Sequence, residues 1–108
     1  MQPPAPGSPV PTTLGDATAV ALDAYESLAL LGEEIEDEWQ YVQDLADAWR
    51  SRISDVADAR GDEPLPAPRA AAVARACDEI ALIGDPHRAI DWLSTFPQIV
   101  LVALGERP

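Results

Sequence analysis

The amino-acid sequence predicts an all-α protein, and three observations support this fold class. Apolar residues recur in alternating steps of three and four from Tyr25 to Val56, which is the heptad spacing of a helix that packs along one seam. No proline, which would remove a helical N–H donor, occurs between Pro11 and Pro64. The strand-like run at residues 99–102 has no second candidate strand to pair with, so a short helix is the better interpretation.

The chain is predicted to consist of one domain preceded by a tail. Residues 1–13 hold five of the eleven prolines and show no apolar periodicity, so we expect a disordered, proline-rich tail there. A length of 108 residues provides one hydrophobic core but not two. Residues 14–108 are therefore predicted to form a single helical domain.

The first element is predicted to be one long helix over about residues 17–60. Asp16 can cap its N-terminus, and the apolar seam keeps its phase through Gly32. Such a helix would be roughly 65 Å long at 1.5 Å per residue. The alternative is that Gly32 ends a first helix and that the acidic residues after it begin a second one, where the helix macrodipole favours negative charge.

A broken return arm is predicted to follow a loop at residues 61–68, because a glycine followed by alternating prolines continues neither helix nor strand. Asp85 followed by Pro86 is a typical helix start, and Thr95 with Gln98 matches a capping box. The arm is predicted to contain three helical pieces, 68–83, 86–94 and 96–104, and Gly105 is expected to end the last of them. Packed along the first helix, it would complete a helical hairpin or a small bundle.

Large apolar side chains are predicted to join the long helix to the return arm. These candidate core or interface anchors are Leu28, Ile35, Trp39, Val42, Trp49, Ile53, Trp92 and Phe96. A short, broken arm cannot cover both ends of so long a helix, and exposed apolar stripes of that size usually mark an interface. We therefore expect a homodimer, joined like a coiled coil through the N-terminal half of the helix, with a one-chain bundle as the alternative.

The charge of the chain restricts its partners. Nineteen Asp and Glu oppose seven basic residues, all of them Arg, and the formal net charge is −12. The arginines are scattered, so direct binding of nucleic acid is not expected. Seven of the fifteen residues from 33 to 47 are acidic. A solvated polar face would explain them, but the sharper hypothesis is a contact surface for a basic protein partner, made of Glu33, Glu34, Asp37, Glu38, Tyr41 and Asp44.

No motif in the sequence predicts catalysis, a metal site or a cofactor. One cysteine, Cys77, and one histidine, His87, provide neither a disulfide nor a Cys/His zinc site. Gly-rich phosphate loops and nucleophile elbows are absent from the sequence. The alternative function is a carboxylate-based metal-binding bundle or enzyme, because Glu33 with Asp37, and Glu34 with Glu38, would share one face of a continuous helix.

The function predicted from the sequence is a non-catalytic, acidic, helical protein–protein interaction module, such as an adaptor, an assembly factor or a neutralising partner. No run of 18 apolar residues and no secretory signal is present, so a cytoplasmic location away from membranes is expected. Abundant Ala, Arg, Asp and Pro without Lys is typical of high-GC bacterial or phage coding sequences.

Overall fold

The computed structural model describes residues 11–106, which form four helices and no β-strand. The helices are α1 (Leu14–Gly32), α2 (Glu36–Arg60), α3 (Ala67–Ala81) and α4 (Pro86–Ala103). The all-α prediction is therefore confirmed for this part of the chain. Residues 1–10 of the predicted tail lie outside the described residues. Its last residues lie against the loop after α2, where the Leu65 backbone N–H donates to the Thr12 carbonyl at 3.0 Å.

The prediction of one helix over residues 17–60 is wrong, because the chain reverses immediately after Gly32. The backbone N–H of Glu33 still donates to the Ala29 carbonyl at 2.9 Å, and that of Ile35 donates to the Gly32 carbonyl at 3.1 Å. A three-residue turn then leads into α2. Gly32 suits this place because a Cβ there would lie 3.3 Å from Cγ1 of Ile90, so the end of α1 approaches α4 closely.

Backbone hydrogen bonds at the opposite end hold α1 antiparallel to α2. The N–H groups of Leu14 and Gly15 donate to the carbonyls of Glu63 and Gly61, each at 3.0 Å. These donors belong to the first turn of α1 and have no acceptor within their own helix. Thr13 caps the helix by accepting from the Asp16 N–H, so α1 begins three residues before the predicted start at Ala17.

The predicted break in the return arm at position 95 is also wrong, because α4 runs unbroken from Pro86 to Ala103. It contains Pro97, which is buried and has no N–H to donate to the carbonyl of Leu93. The buried hydroxyl of Tyr25 donates to that carbonyl instead, at 2.6 Å. A side chain of α1 therefore replaces the hydrogen bond that proline removes from α4.

The two ends of α4 follow the sequence signals. Asp85 caps the start by accepting from the His87 backbone N–H at 3.1 Å. At the other end Gly105 has a φ of 86°, and the Glu106 N–H donates to the Leu101 carbonyl at 2.8 Å. This is the left-handed termination that favours glycine. The last predicted piece, 96–104, is thus helical but belongs to the same helix as 86–94.

Helices α1 and α4 form the centre of the molecule. They contact each other, and each also contacts α2 and α3, whereas within residues 11–106 no Cα atom of α2 lies within 8 Å of a Cα atom of α3. Three of the predicted anchors are buried and five are half-buried. The buried anchors are Leu28, Ile53 and Phe96, and the half-buried ones are Ile35, Trp39, Val42, Trp49 and Trp92.

The reversal at Gly32 removes the reason for expecting a homodimer. That expectation required one long apolar seam that a short return arm could not cover. In the structure the seam is divided between α1 and α2, and these two helices pack against each other and against α4. Both halves of the seam therefore have partners within the same chain.

Candidate functional site

Negative charge is concentrated in the first half of the chain. No Lys or Arg precedes Arg50, whereas seven of the fifteen residues from 33 to 47 are acidic. In the structure these residues occupy the turn between α1 and α2 and the first half of α2. The six predicted surface residues are all exposed: Glu33, Glu34, Asp37, Glu38, Tyr41 and Asp44.

The start of α2 explains part of this acidic cluster. Ile35 is the N-cap and offers no side-chain acceptor, so the first-turn N–H groups lack a capping side chain. Glu36, Asp37 and Glu38 occupy this first turn, where carboxylates interact favourably with the positive end of the helix macrodipole. Helix initiation thus accounts for three of the seven acidic residues, but not for those of the turn or for Asp44.

The carboxylate pairs expected on a continuous helix do not form as predicted. Glu33 and Glu34 lie in the turn and not on α2, so they are not one helical turn from Asp37 and Glu38 on a shared face. Among residues 11–106, no group of three or more His, Cys, Asp or Glu side chains could hold a metal ion. The geometry that motivated the metal-binding alternative is therefore missing from the described part of the chain.

One face of α2 combines carboxylates with exposed apolar side chains. Asp37, Tyr41, Asp44 and Leu45 are spaced by four, three and one residues, which places them on one side of the helix. Tyr41 is 87% exposed and Leu45 is 44% exposed. We call these four residues the α2 face. Leu45 was missed in the sequence analysis, although its position four residues after Tyr41 is a signal that could have found it.

The ion pairs of this region leave the α2 face unpaired. Glu38 Oε2 lies 3.1 Å from Nδ1 of His87 at the start of α4, and Arg50 pairs with Asp47 at 2.6 Å. Within residues 11–106, neither Asp37 nor Asp44 forms an ion pair. Their carboxylates are therefore open to a charged partner.

Two buried titratable groups of the helical bundle, Tyr25 and Cys77, have structural roles. Burial raises the pKa of Tyr25 above its ordinary value, which keeps the hydroxyl protonated as a donor to Leu93. Arg50 Cζ lies 6.0 Å from the centroid of the Tyr25 ring, and the Tyr25 ring stacks on Phe96 at 6.0 Å. Burial, with a smaller contribution from Asp78, raises the pKa of Cys77 to about 11. A thiol with that pKa is a poor nucleophile at neutral pH.

Comparison with protein-family models, with curated proteins and with solved structures finds no match to this chain. Within the part of the chain that the structure describes, no helix is both long enough and apolar enough to cross a bilayer. The charge and exposure of the chain's own side chains are the observations that bear on function.

Proposed function

We propose that this protein is a non-catalytic interaction module whose α2 face binds a basic protein partner. One observation carries the proposal. Tyr41, 87% exposed, lies along α2 between two carboxylates, Asp37 and Asp44, and neither carboxylate has an ion-pair partner within the described residues. The exposed Leu45 follows Asp44 on the same side of the helix. The surface therefore offers apolar area and negative charge side by side on one helix.

The chemistry of the α2 face suits recognition of a cationic protein. Tyrosine is enriched in protein interfaces because its ring provides apolar contact area and its hydroxyl can form a hydrogen bond. Carboxylates around it attract Lys and Arg side chains and disfavour acidic partners. The net charge of −12 adds a long-range field that accelerates the encounter with a cationic partner.

A second copy of the chain fits this face poorly. A symmetric dimer through α2 would bring the same surface of both copies together. Asp37 and Asp44 of one copy would then face a surface with the same negative charge. We therefore propose a different protein as the partner, with the chain acting in the cytoplasm as an adaptor, an assembly factor or a neutralising partner.

Matched charge variants test this proposal. Asp37→Asn combined with Asp44→Asn removes two charges from the α2 face, and Asp58→Asn combined with Asp62→Asn removes two exposed charges elsewhere. Both variants and the wild type are immobilised and exposed to lysate of the source cell at two salt concentrations. We expect the wild type and the control to retain a common basic protein, and the α2-face variant to lose it.

The apolar component of the α2 face is tested separately with Tyr41→Ala. Truncation of an interface tyrosine that acts as a hot spot costs about 2 kcal/mol or more, which corresponds to roughly a 30-fold rise in Kd for the retained protein. Retention should also weaken as salt is raised, because screening reduces the attraction between exposed charges. Equal retention by the α2-face variant and by the control would show that this surface is only a solvated helix face.

A further inference from the structure

We infer that an apolar cavity between α1 and α3 receives one bulky apolar side chain from a cationic helical segment of the partner protein. The cavity has a volume of about 170 Å³. Its lining includes Ala24, Leu28, Leu31, Cys77, Ile80 and Ile83. The inference rests on the proposed function, because it specifies the chemistry of the same basic partner.

The cavity has a closed apolar floor and an open mouth. Leu28, Cys77 and Ile80 are buried, whereas Ser27 and Ala81 line the cavity at exposed positions. The thiol of Cys77 is uncharged at neutral pH because burial raises its pKa. The floor therefore offers dispersion contacts and no charge.

The volume matches one large side chain. Apolar cavities of about 150 Å³ lined by aliphatic and aromatic groups are known to hold a benzene-sized molecule. A phenylalanine or leucine side chain is of that size. Burial of such a side chain strengthens binding by roughly 10- to 150-fold, so a single anchor is sufficient to orient a partner on this surface.

Carboxylates near the cavity specify a cationic partner. Asp78 is close enough to the Cys77 thiol for its charge to raise the thiol pKa. On the other side, Glu33 and Glu34 follow within three residues of Leu31, at the end of α1. The cavity therefore has Asp78 next to its α3 wall and an acidic turn after the end of its α1 wall.

Within residues 11–106, no basic side chain lines the cavity to offset this charge. Helix α1 contains no Lys, Arg or His. Arg75 of α3 is two positions before Cys77 and therefore points to the other side of that helix. Glu33 and Glu34 belong to the turn that connects α1, one wall of the cavity, to α2.

Synthetic peptides provide a direct test with the full-length protein. One peptide is a lysine-rich helix with a single central phenylalanine, a second has alanine in place of that phenylalanine, and a third keeps the phenylalanine but has glutamine in place of each lysine. Nuclear magnetic resonance titration gives Kd and identifies the backbone amides that shift. We expect the first peptide to bind at least 10-fold more tightly than either of the others, with the largest shifts at Ala24, Ser27 and Cys77.

Two tryptophan variants locate the binding site. Ala81→Trp fills the mouth of the cavity, and Ala71→Trp adds the same side chain at an exposed position of α3 outside the cavity. The advantage of the phenylalanine peptide should disappear in Ala81→Trp and persist in Ala71→Trp. The shift map of the wild type requires no variant, so it decides the question even if Ala81→Trp fails to fold.

The outcomes separate this inference from the proposed function. The inference would be overturned if the phenylalanine and alanine peptides bound with equal affinity, or if the shifts were confined to α2. Loss of lysate binding in the α2-face variant would still support the proposed function in that case. Equal affinity for the lysine and glutamine peptides would assign the cavity to apolar ligands without a charge preference and would overturn the cationic partner. Cavity binding without any effect of the α2-face variant on the lysate would overturn only the proposed function.

Discussion

Replacing Tyr25 by phenylalanine should destabilise the protein by removing one hydroxyl group. The Tyr25 hydroxyl is buried and donates to the carbonyl of Leu93 at 2.6 Å. That carbonyl has no helical donor because residue 97 is proline. Phenylalanine keeps the ring that stacks on Phe96, so the substitution isolates the hydrogen bond from the packing.

The expected loss follows from leaving a buried acceptor without a partner. An unsatisfied buried carbonyl costs about 1–3 kcal/mol. For a domain of this size each kcal/mol lowers Tm by roughly 4–8 °C. Urea unfolding followed by helical circular dichroism should therefore give a lower midpoint for Tyr25→Phe, with an unchanged dependence on urea. Tyr41→Phe is the matched control, because Tyr41 is 87% exposed and should change stability by less than about 0.5 kcal/mol.

A double-mutant cycle with Pro97→Ala tests the reason for the loss. Alanine at position 97 restores a backbone N–H that can donate to Leu93. In that background Tyr25→Phe should cost less than half of what it costs beside Pro97, a coupling of about 1 kcal/mol. If Tyr25→Phe costs the same in both backgrounds, or costs no more than Tyr41→Phe, the hydroxyl does not compensate for the proline and our explanation of the unbroken helix is wrong.

The capping of α4 and the burial of Cys77 lead to three further expected outcomes. Asp85→Ala should lower the free energy of unfolding by about 0.5–2 kcal/mol, because it removes the cap of α4. Asp91→Ala on the same helix is the control and should not lower it. Equal losses of the two variants in urea titrations would contradict this prediction. Cys77 should react with iodoacetamide at pH 8 at least about 100-fold more slowly in the folded protein than in urea, because its pKa rises from 9.0 to about 11. Similar labelling rates in the folded and the unfolded protein would show that the thiol is accessible. Because the thiol of the unfolded chain loses its proton at a lower pH than that of the folded chain, the free energy of unfolding should also fall as the pH rises toward 11. This pH dependence should be absent from Cys77→Ala.

Much of the fold was predictable because the signals are local. The spacing of apolar residues indicated helices, and the glycine and prolines at 61–68 indicated the loop between α2 and α3. Asp85 and Gly105 were identified as boundaries from residue type alone, since a capping carboxylate and a left-handed glycine act on neighbouring backbone groups. Exposure of the six acidic-surface residues was likewise expected from their polarity.

The reversal at Gly32 could not be determined from the heptad pattern. That pattern records which residues are apolar and keeps the same phase whether the helix continues or folds back. Gly32 permits the reversal by bringing α1 close to Ile90, which is far away in the sequence. The cavity was unpredictable for a related reason, because its lining comes mainly from α1 and α3, whose separation depends on how α4 packs against both of them.

The sequence by itself determined the all-α class, the acidic character of the first half and the caps of α4, because each depends on residue type or on neighbours within a few positions. Only the tertiary structure decided that α4 continues through Pro97. The capping-box pattern at Thr95 is local, whereas the donor that rescues the Leu93 carbonyl is Tyr25, 68 residues away. A buried polar group must be paired, but the sequence does not specify which distant side chain will pair with it.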